Sequence, residues 1–421
     1  MYEKIISRAK ELGISAEIFS IKLKEYTITK DKYYIPIKIE ENGYGIRVID
    51  SNNRMGYLYS KKLDDKILED ALKVAKLGDS DKANVLPSRK PIRKLNGLYK
   101  LENAEDKVKE VVSEMNDLED KLNLTSISVS IIDYEISIIN TEGVDVGEKR
   151  GLFLIQILAN SDNNSPEIYE YNLSRNHDIK LDKLKETIIE KAKILRKREK
   201  VDVKGYDVTF TQKALDSIFS SLFPSLFSAK SYFKRITPFK LGELINEDLE
   251  IIDNPLDSAL PFSRSFDDEG NPSKINNVIE NGIVKTFLSN TYWSIKASID
   301  NTSSASRTID SLIPSYFTLP LIDFSNIVVK HRNSEHEVED NSVVIDQVQG
   351  IDTADLSSGN FSLVASVSWI NKKEEKKGLR EVIVTGNLKE LLKNVVSSSK
   401  DIEAYGKVVS GKLRVRGLSL V

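Results

Sequence analysis

Cysteine is absent from all 421 residues. Its absence removes disulfides, cysteine-ligated metal sites and a thiol nucleophile together. Histidine is nearly as scarce: His177, His331 and His336 are the only three. No HExxH or HExxxH string occurs, no Gly-x-Ser-x-Gly elbow, and no Gly-Lys-Ser/Thr of a phosphate loop. Gly43-Tyr44-Gly45 has neither a third glycine nor a following helical pattern, so a dinucleotide loop is not supported. No apolar run approaches the length of a membrane-spanning helix. Met1-Tyr2-Glu3-Lys4 is charged and no apolar stretch follows it, so no signal peptide is expected and cytoplasmic residence is. Neither charge dominates, with 61 basic against 64 acidic residues and a net charge of -3. That balance gives no electrostatic case for nucleic acid or an anionic membrane surface.

What is present is a chain 40% hydrophobic and 30% charged, long enough for two or three domains. The first dozen residues predict a short helix. From Ile18, apolar Phe19, Ile21 and Leu23 alternate with Ser20, Lys22 and Lys24, the period of a half-buried strand. Tyr33–Ile39 predicts a strand that Pro36 confines to an edge or bulge. Gly43–Ile49 predicts another, with Asp50-Ser51-Asn52-Asn53 turning into Gly56–Tyr59. Helical spacing follows in Ile67, Ala71, Val74 and Ala75, with Gly78 as the stop. It returns in Val108, Val111, Met115, Leu118 and Leu122, and again in Leu181, Leu184, Ile188, Ala192 and Leu195. Between the last two stripes, Ile127, Val129 and Ile131 alternate with serines, a strong strand pattern.

The expectation is an α+β fold: an amino-terminal antiparallel sheet with helices on one face over residues 1–200, divisible near 1–90 and 100–200, then a β-rich, barrel-like domain over 201–421. The run Arg196-Lys197-Arg198-Glu199-Lys200 reads as a solvated helix end and linker. Helices are expected in the second half only near 212–230 and 387–398, with prolines 255, 261, 272, 314 and 320 punctuating short strands.

Candidate chemistry is thin. His331 and His336 are five apart, about 140° around a regular helix and on opposite faces of a strand. In their charged surroundings they read as surface residues, and His177 beside Asp178 as a helix-entry residue. Ser303-Ser304 and Ser397-Ser398-Ser399 read as loop or helix-end serines. The most suggestive carboxylate cluster is Phe266-Asp267-Asp268-Glu269-Gly270-Asn271-Pro272. It reads as a tight turn with solvated acids, or as oxygen ligands for a cation.

That stretch, with Val278-Ile279-Glu280-Asn281-Gly282-Ile283-Val284, resembles the "FD-x-EG-x-P … LI-x-x-G-x-L" pattern of the TldD/PmbA family. Asn301–Arg307 is similar to the family's "sTG-x-a-x-R" segment, Ser358-Gly359-Asn360-Phe361-Ser362 to "tG-d-F-S", and Ile383–Leu388 to "ti-x-GNl". Gly43–Val48 through Gly56-Tyr57 and the following helix resemble its opening, so the likeness runs nearly end to end. Ser304 stands for a usual glycine and Asn360 for a common acid.

The resemblance implies two subunit types. One carries HExxxH plus a cysteine around zinc, with the glutamate as general base. The other, the PmbA (TldE) type, lacks them. Here the matching segment is Ala214–Pro224, which has no histidine and in which Ile218, Phe219, Leu222 and Phe223 offer packing. The implied function is the non-zinc subunit of a protease acting on peptides or unfolded polypeptide. Such a chain has no catalytic or metal residue and no cofactor of its own, with zinc on a TldD-type partner and a homodimer in isolation. Phe266, Asp268, Glu269, Gly270 and Arg307 are then candidates for substrate or partner binding. Two other readings stand beside it. One is a hydrolase using Asp267, Asp268 and Glu269 with His331 or His336. The other is a regulatory module, as the family's older description as a DNA gyrase modulator implies.

Overall fold

A computed structural model of the chain describes residues 1–64, 66–101, 104–162, 165–177, 179–308, 312–372, 375–380 and 382–421; Asp178 lies outside them. The amino-terminal half is one six-stranded antiparallel sheet. Its strands are β1 (Ser15–Lys30), β2 (Tyr34–Ile49), β3 (Met55–Ser60), β4 (Asn123–Asn140), β5 (Asp145–Asn160) and β6 (Ile168–Ser174), in the order β3-β2-β1-β4-β5-β6. The two strands expected over 33–49 are a single one. β2 pairs with β1 without interruption from Ile49 opposite Ser15 to Tyr34 opposite Lys30. Only Tyr44–Ile49 also pairs with β3. Pro36 therefore sits where β2 has one neighbour, and its missing N–H costs no ladder bond on the open side.

Period two assigns the two faces of this sheet, and both are apolar. Tyr26, Ile28, Ile127, Val129, Ile131, Phe153, Ile155 and Ile157 pack with α3 (Ala104–Glu114) and α4 (Leu181–Leu195). Ala16, Ile18, Ile46 and Val48 pack with α1 (Tyr2–Glu11) and α2 (Ile67–Ala75). The alternate residues Phe19, Ile21, Leu23, Ile132, Tyr134, Ile136 and Ile138 face Phe266 and Tyr316 of the second half. Each such side chain contributes about 1.5–3 kcal/mol of burial. The stripe Val108 to Leu122 is buried throughout, although the helix tightens to a 3-10 turn at Met115–Leu118. On α2, Val74 is exposed and Leu68 takes the buried place instead.

The second half is β-rich, with its strands in a ten-stranded and a six-stranded sheet plus one short pair. The larger sheet pairs Asp207–Phe210 in parallel with Ser342–Gln349, which runs antiparallel to Asn360–Lys372. The helix α5 (Gln212–Leu226) contacts Asp207–Phe210 and Ser342–Gln349 of this sheet, and Glu403–Tyr405 and Val408–Ser410 of the smaller one. Two short helices, α6 (Ala229–Lys234) and α7 (Thr291–Ala297), contact each other, and α7 was not foreseen. The expected helix over 387–398 is only α8 (Leu388–Lys393); Val395–Ser399 is a strand. Ser397, Ser398 and Ser399 are thus buried strand residues, not loop serines. The charged run is not a free linker either, since Arg198–Glu199 pairs in parallel with Glu375–Leu379. Among the described residues no helix is long and apolar enough to cross a membrane.

Candidate functional site

The acidic turn is tight, as its glycine and asparagine predict, but its acids are not solvated. Asp267, Asp268 and Glu269 are each 0% exposed. The Asp267 N–H donates to Asn271 O, and the Gly270 N–H to Asp267 O, both at 2.9 Å. Gly270 adopts φ +84°, and a Cβ there would meet Val144 Cγ1 of the amino-terminal half at 2.5 Å. The Asp267 carboxylate closes the loop from inside, accepting the N–H groups of Glu269 (3.1 Å), Asn271 (2.9 Å) and Ala305 (3.3 Å). Asp268 Oδ2 accepts the Arg307 N–H at 2.6 Å, which joins the turn to the segment at 301–307. In that segment the left-handed backbone is at Ser303 (φ 56°), not at Ser304, where the missing glycine was placed.

A buried chain of charges continues into the sheet. Glu269 accepts Arg47 Nη1 at 2.9 Å and the Thr291 N–H at the start of α7 at 2.8 Å. Arg47 Nη2 reaches Glu17 at 2.7 Å, and Glu17 in turn accepts Arg307 Nη2 at 2.9 Å. Arg307 also donates to the Tyr57 hydroxyl at 3.0 Å and to Thr318 O, and its guanidinium lies over the Phe19 ring. Glu17 and Arg47 face each other across β1 and β2 on the side occupied by Phe19 and Ile21. A Cβ on Gly43, four pairs on and opposite Ile21, would overlap the Tyr316 ring at 2.0 Å. That glycine admits the second half onto the sheet and has nothing to do with phosphate.

Acids outnumber bases here. Burial and the adjacent Glu269 push Asp267 up to about 7, against the pull of Arg264 and the accepted N–H bonds. Burial opposes the charge of Arg47, yet Glu17 and Glu269 hold its guanidinium firmly protonated.

A second buried cluster lies under α5. Lys191 of α4 contacts Glu170 at 2.6 Å and Asp346 at 2.7 Å, while Lys213 of α5 contacts the same acids at 2.9 and 3.4 Å. Burial alone would raise Asp346, but the two ammonium groups and the Thr211 hydroxyl hold it at about 2. Nearby, Asp216 of α5 accepts Tyr171 Oη at 2.7 Å, Ser220 Oγ at 3.0 Å and the Lys407 N–H at 2.9 Å.

The rest of α5 is dry. Leu215, Ile218, Phe219, Leu222 and Phe223 are all fully buried. Phe219 stacks on Phe223 with centroids 4.4 Å apart, and Phe223 meets Phe227 and Phe324. Zinc needs several nitrogen, sulfur or carboxylate donors converging on one point. This helix offers aromatic rings where such donors would stand, so its residues do not fit the ion. Among the described residues no three His, Asp or Glu side chains are grouped as a metal would need.

The structure brings Phe266, Asp268, Glu269, Gly270 and Arg307 together in one buried joint. His331 was expected on the surface, but it ends the strand Ile327–His331 and is buried, its Nδ1 3.1 Å from Asn333 O. His336 is exposed and lies beside Lys400. Leu181–Leu195 is entered through Lys180, whose side chain makes no capping hydrogen bond. The partners that sequence reading missed are Glu17 and Arg47. Both stand on strand positions whose i+2 neighbours are buried, and a charge at such a place was the available signal.

With this geometry in place, comparison with known proteins is informative. Residues 203–421 match the family model of the PmbA/TldA metallopeptidase C-terminal domain. An uncharacterised protein of Methanocaldococcus jannaschii is 25% identical, over 99% of this chain and 98% of that one. A zinc metalloprotease TldD homolog of Saccharolobus solfataricus is 26% identical, over 94% and 92%. The crystal structure of TldE from Thermococcus kodakarensis superposes with a TM-score of 0.86 at 21% identity, covering 100% of this chain and 99% of that one. A family model spanning more than half the chain, on a fold shared from end to end, establishes that this protein belongs to the PmbA/TldD metallopeptidase-related family.

Proposed function

We propose that this chain is a TldE-type subunit that binds no zinc and works with a zinc-bearing TldD-type partner on peptides or unfolded polypeptide, in the cytoplasm. One observation carries the reading. The segment that resembles the family's ligand-bearing helix is α5, and its core side chains are Leu215, Ile218, Phe219, Leu222 and Phe223 in a chain without cysteine. A water made nucleophilic by zinc must then come from the other subunit. This chain supplies partner surface and substrate contacts, with the joint around Phe266, Asp268, Glu269, Gly270 and Arg307 fixing the two halves that form them. The family membership and the TldE-like fold support this division of labour.

The test is reconstitution. The chain is mixed at micromolar concentration with an HExxxH-bearing homologue from the same genome. A joint sizing peak and new peptidase activity are expected. Two separate peaks with no gain in activity would sink the reading. The alternative of a hydrolytic site within this chain is addressed by metal analysis of the pure protein, where stoichiometric zinc with activity alone would reverse the assignment.

A further inference from the structure

The outer edge of β2 is bare beyond the end of β3. β3 pairs only as far as Ser60 opposite Tyr44, and among the described residues no strand pairs with the outer edge of β2 from Tyr34 to Gly43. A free edge of this length is a template for pairing with another chain. Alternation fixes what it offers. The Asp50 N–H donates to Arg54 O at 3.0 Å in the turn between β2 and β3, so the even-numbered residues of β2 turn their backbone groups outward. Lys38 and Glu40 therefore present N–H and C=O to the open side, while Pro36 has no N–H to present.

The odd-numbered residues supply an apolar face. Ile35, Ile37 and Ile39 are 50%, 43% and 39% exposed. Tyr59, opposite Gly45, stands on the same face of the sheet, and its ring meets Phe317 edge to face at 5.0 Å. These two rings are 56% and 49% exposed. Isolated exposed apolar side chains are ordinary, but three isoleucines in a row on an unpaired edge mark a surface that another chain covers.

We infer that this edge joins two copies of the chain, β2 against β2 and antiparallel, about a two-fold axis at Ile39. Charge selects the register. Centring on Lys38 sets Lys38 against Lys38, and centring on Glu40 sets Glu40 against Glu40. Centring on Ile37 sets Pro36, without a donor, against Lys38. Centring on Ile39 places each Lys38 opposite the second copy's Glu40, and Ile39 opposite Ile39. Lys38 already holds Glu105 at 2.8 Å, and its ammonium has donors left for a second acid. In this register the second copy's Ile35 lies opposite Gly43, in line with β3 and two positions from Tyr59. The isoleucines of each copy thus approach Tyr59 and Phe317 of the other, and both exposed apolar sets leave water together. The contact is isologous and uses up this edge in both copies. It concerns this chain alone, so a failed reconstitution with another subunit leaves its outcome unchanged.

The chain has no cysteine, so one introduced thiol reports the register without background. Ile39→Cys is expected to give a disulfide-linked dimer in oxidised glutathione, since facing residues of a pair without hydrogen bonds have Cα atoms about 4.5 Å apart. Ile37→Cys separates its two thiols by about 14 Å and should run as a monomer on the same denaturing gel. In the cysteine-free protein, sedimentation should show a reversible monomer–dimer equilibrium. Lys38→Glu or Glu40→Lys alone sets like charges opposite each other and should raise the dimer Kd about tenfold or more. The double reversal should return it to within about threefold of wild type. All of these positions are exposed, so the unfolding temperature should move by no more than a few degrees. A wild-type chain that stays monomeric to about 100 µM, equal cross-linking of the two thiol variants, or single reversals that dimerise as wild type does would overturn the assignment.

Discussion

Two buried charge clusters join the halves of this molecule, and they are balanced differently. Under α5, Glu170 and Asp346 meet Lys191 and Lys213, two acids with two bases. At the turn, the four acids Glu17, Asp267, Asp268 and Glu269 meet three bases, Arg47, Arg307 and Arg264, the last acting on Asp267 without a direct ion pair. Both are out of water, yet Asp346 is held at about 2 and Asp267 is driven up to about 7. Burial has the same sign in both, and the supply of counter-charge decides which acid stays ionised. A surplus of acid is tolerated at the turn because Asp267 can hold a proton and still receive backbone N–H bonds.

The strongest way to break the comparison is Arg307→Met. It strands Glu17 and the turn together, and a loss of about 3–5 kcal/mol is expected in urea unfolding. Arg307→Lys should recover less than half, because one ammonium cannot reach Glu17, Tyr57 and Thr318 as a fork does. Lys213→Met should cost less, about 1–3 kcal/mol, since Lys191 still touches both acids of its cluster.

The pH dependence sharpens the contrast, with opposite signs for the two acids. Asp267 has a raised folded value, so its favourable contribution is complete below about pH 4 and is lost as pH rises towards 7. The stability of the wild type relative to Asp267→Asn should therefore fall across that window. Asp346 has a lowered value, so its contribution is complete above about pH 4 and is lost as pH falls towards 2. Wild type relative to Asp346→Asn should lose its advantage only there. Parallel curves for the two pairs would refute the counter-charge explanation. The smallest effect is Tyr57→Phe, about 1 kcal/mol, from a hydroxyl that donates to Tyr316 O and accepts from Arg307.

Much of the sheet was legible because strand periodicity is local. Phe19, Ile21 and Leu23, or Ile127, Val129 and Ile131, declare a face with no knowledge of what covers it. The covering partner was not legible. The acidic turn was visible as a cluster, but its solvation was misjudged, because Arg47 arrives from more than 200 residues away in sequence. His331 was misread for the same reason: charged neighbours along the chain suggested surface, and the fold buried it. The helix over 387–398 stopped early at Asn394, where the chain returns to pair with Leu413–Val415.

By itself the sequence determined the α+β alternation, the membership suggested by an ordered set of motifs, and the absence of sulfur and histidine donors on the helix over Ala214–Pro224. Those follow from residue identity and short-range spacing. Tertiary structure alone decided that the acids at 267–269 are dry and that Glu17 and Arg47 complete their network. The physical reason is that charge energies depend on which groups meet and how much water is excluded, and both are set by long-range pairing between strands.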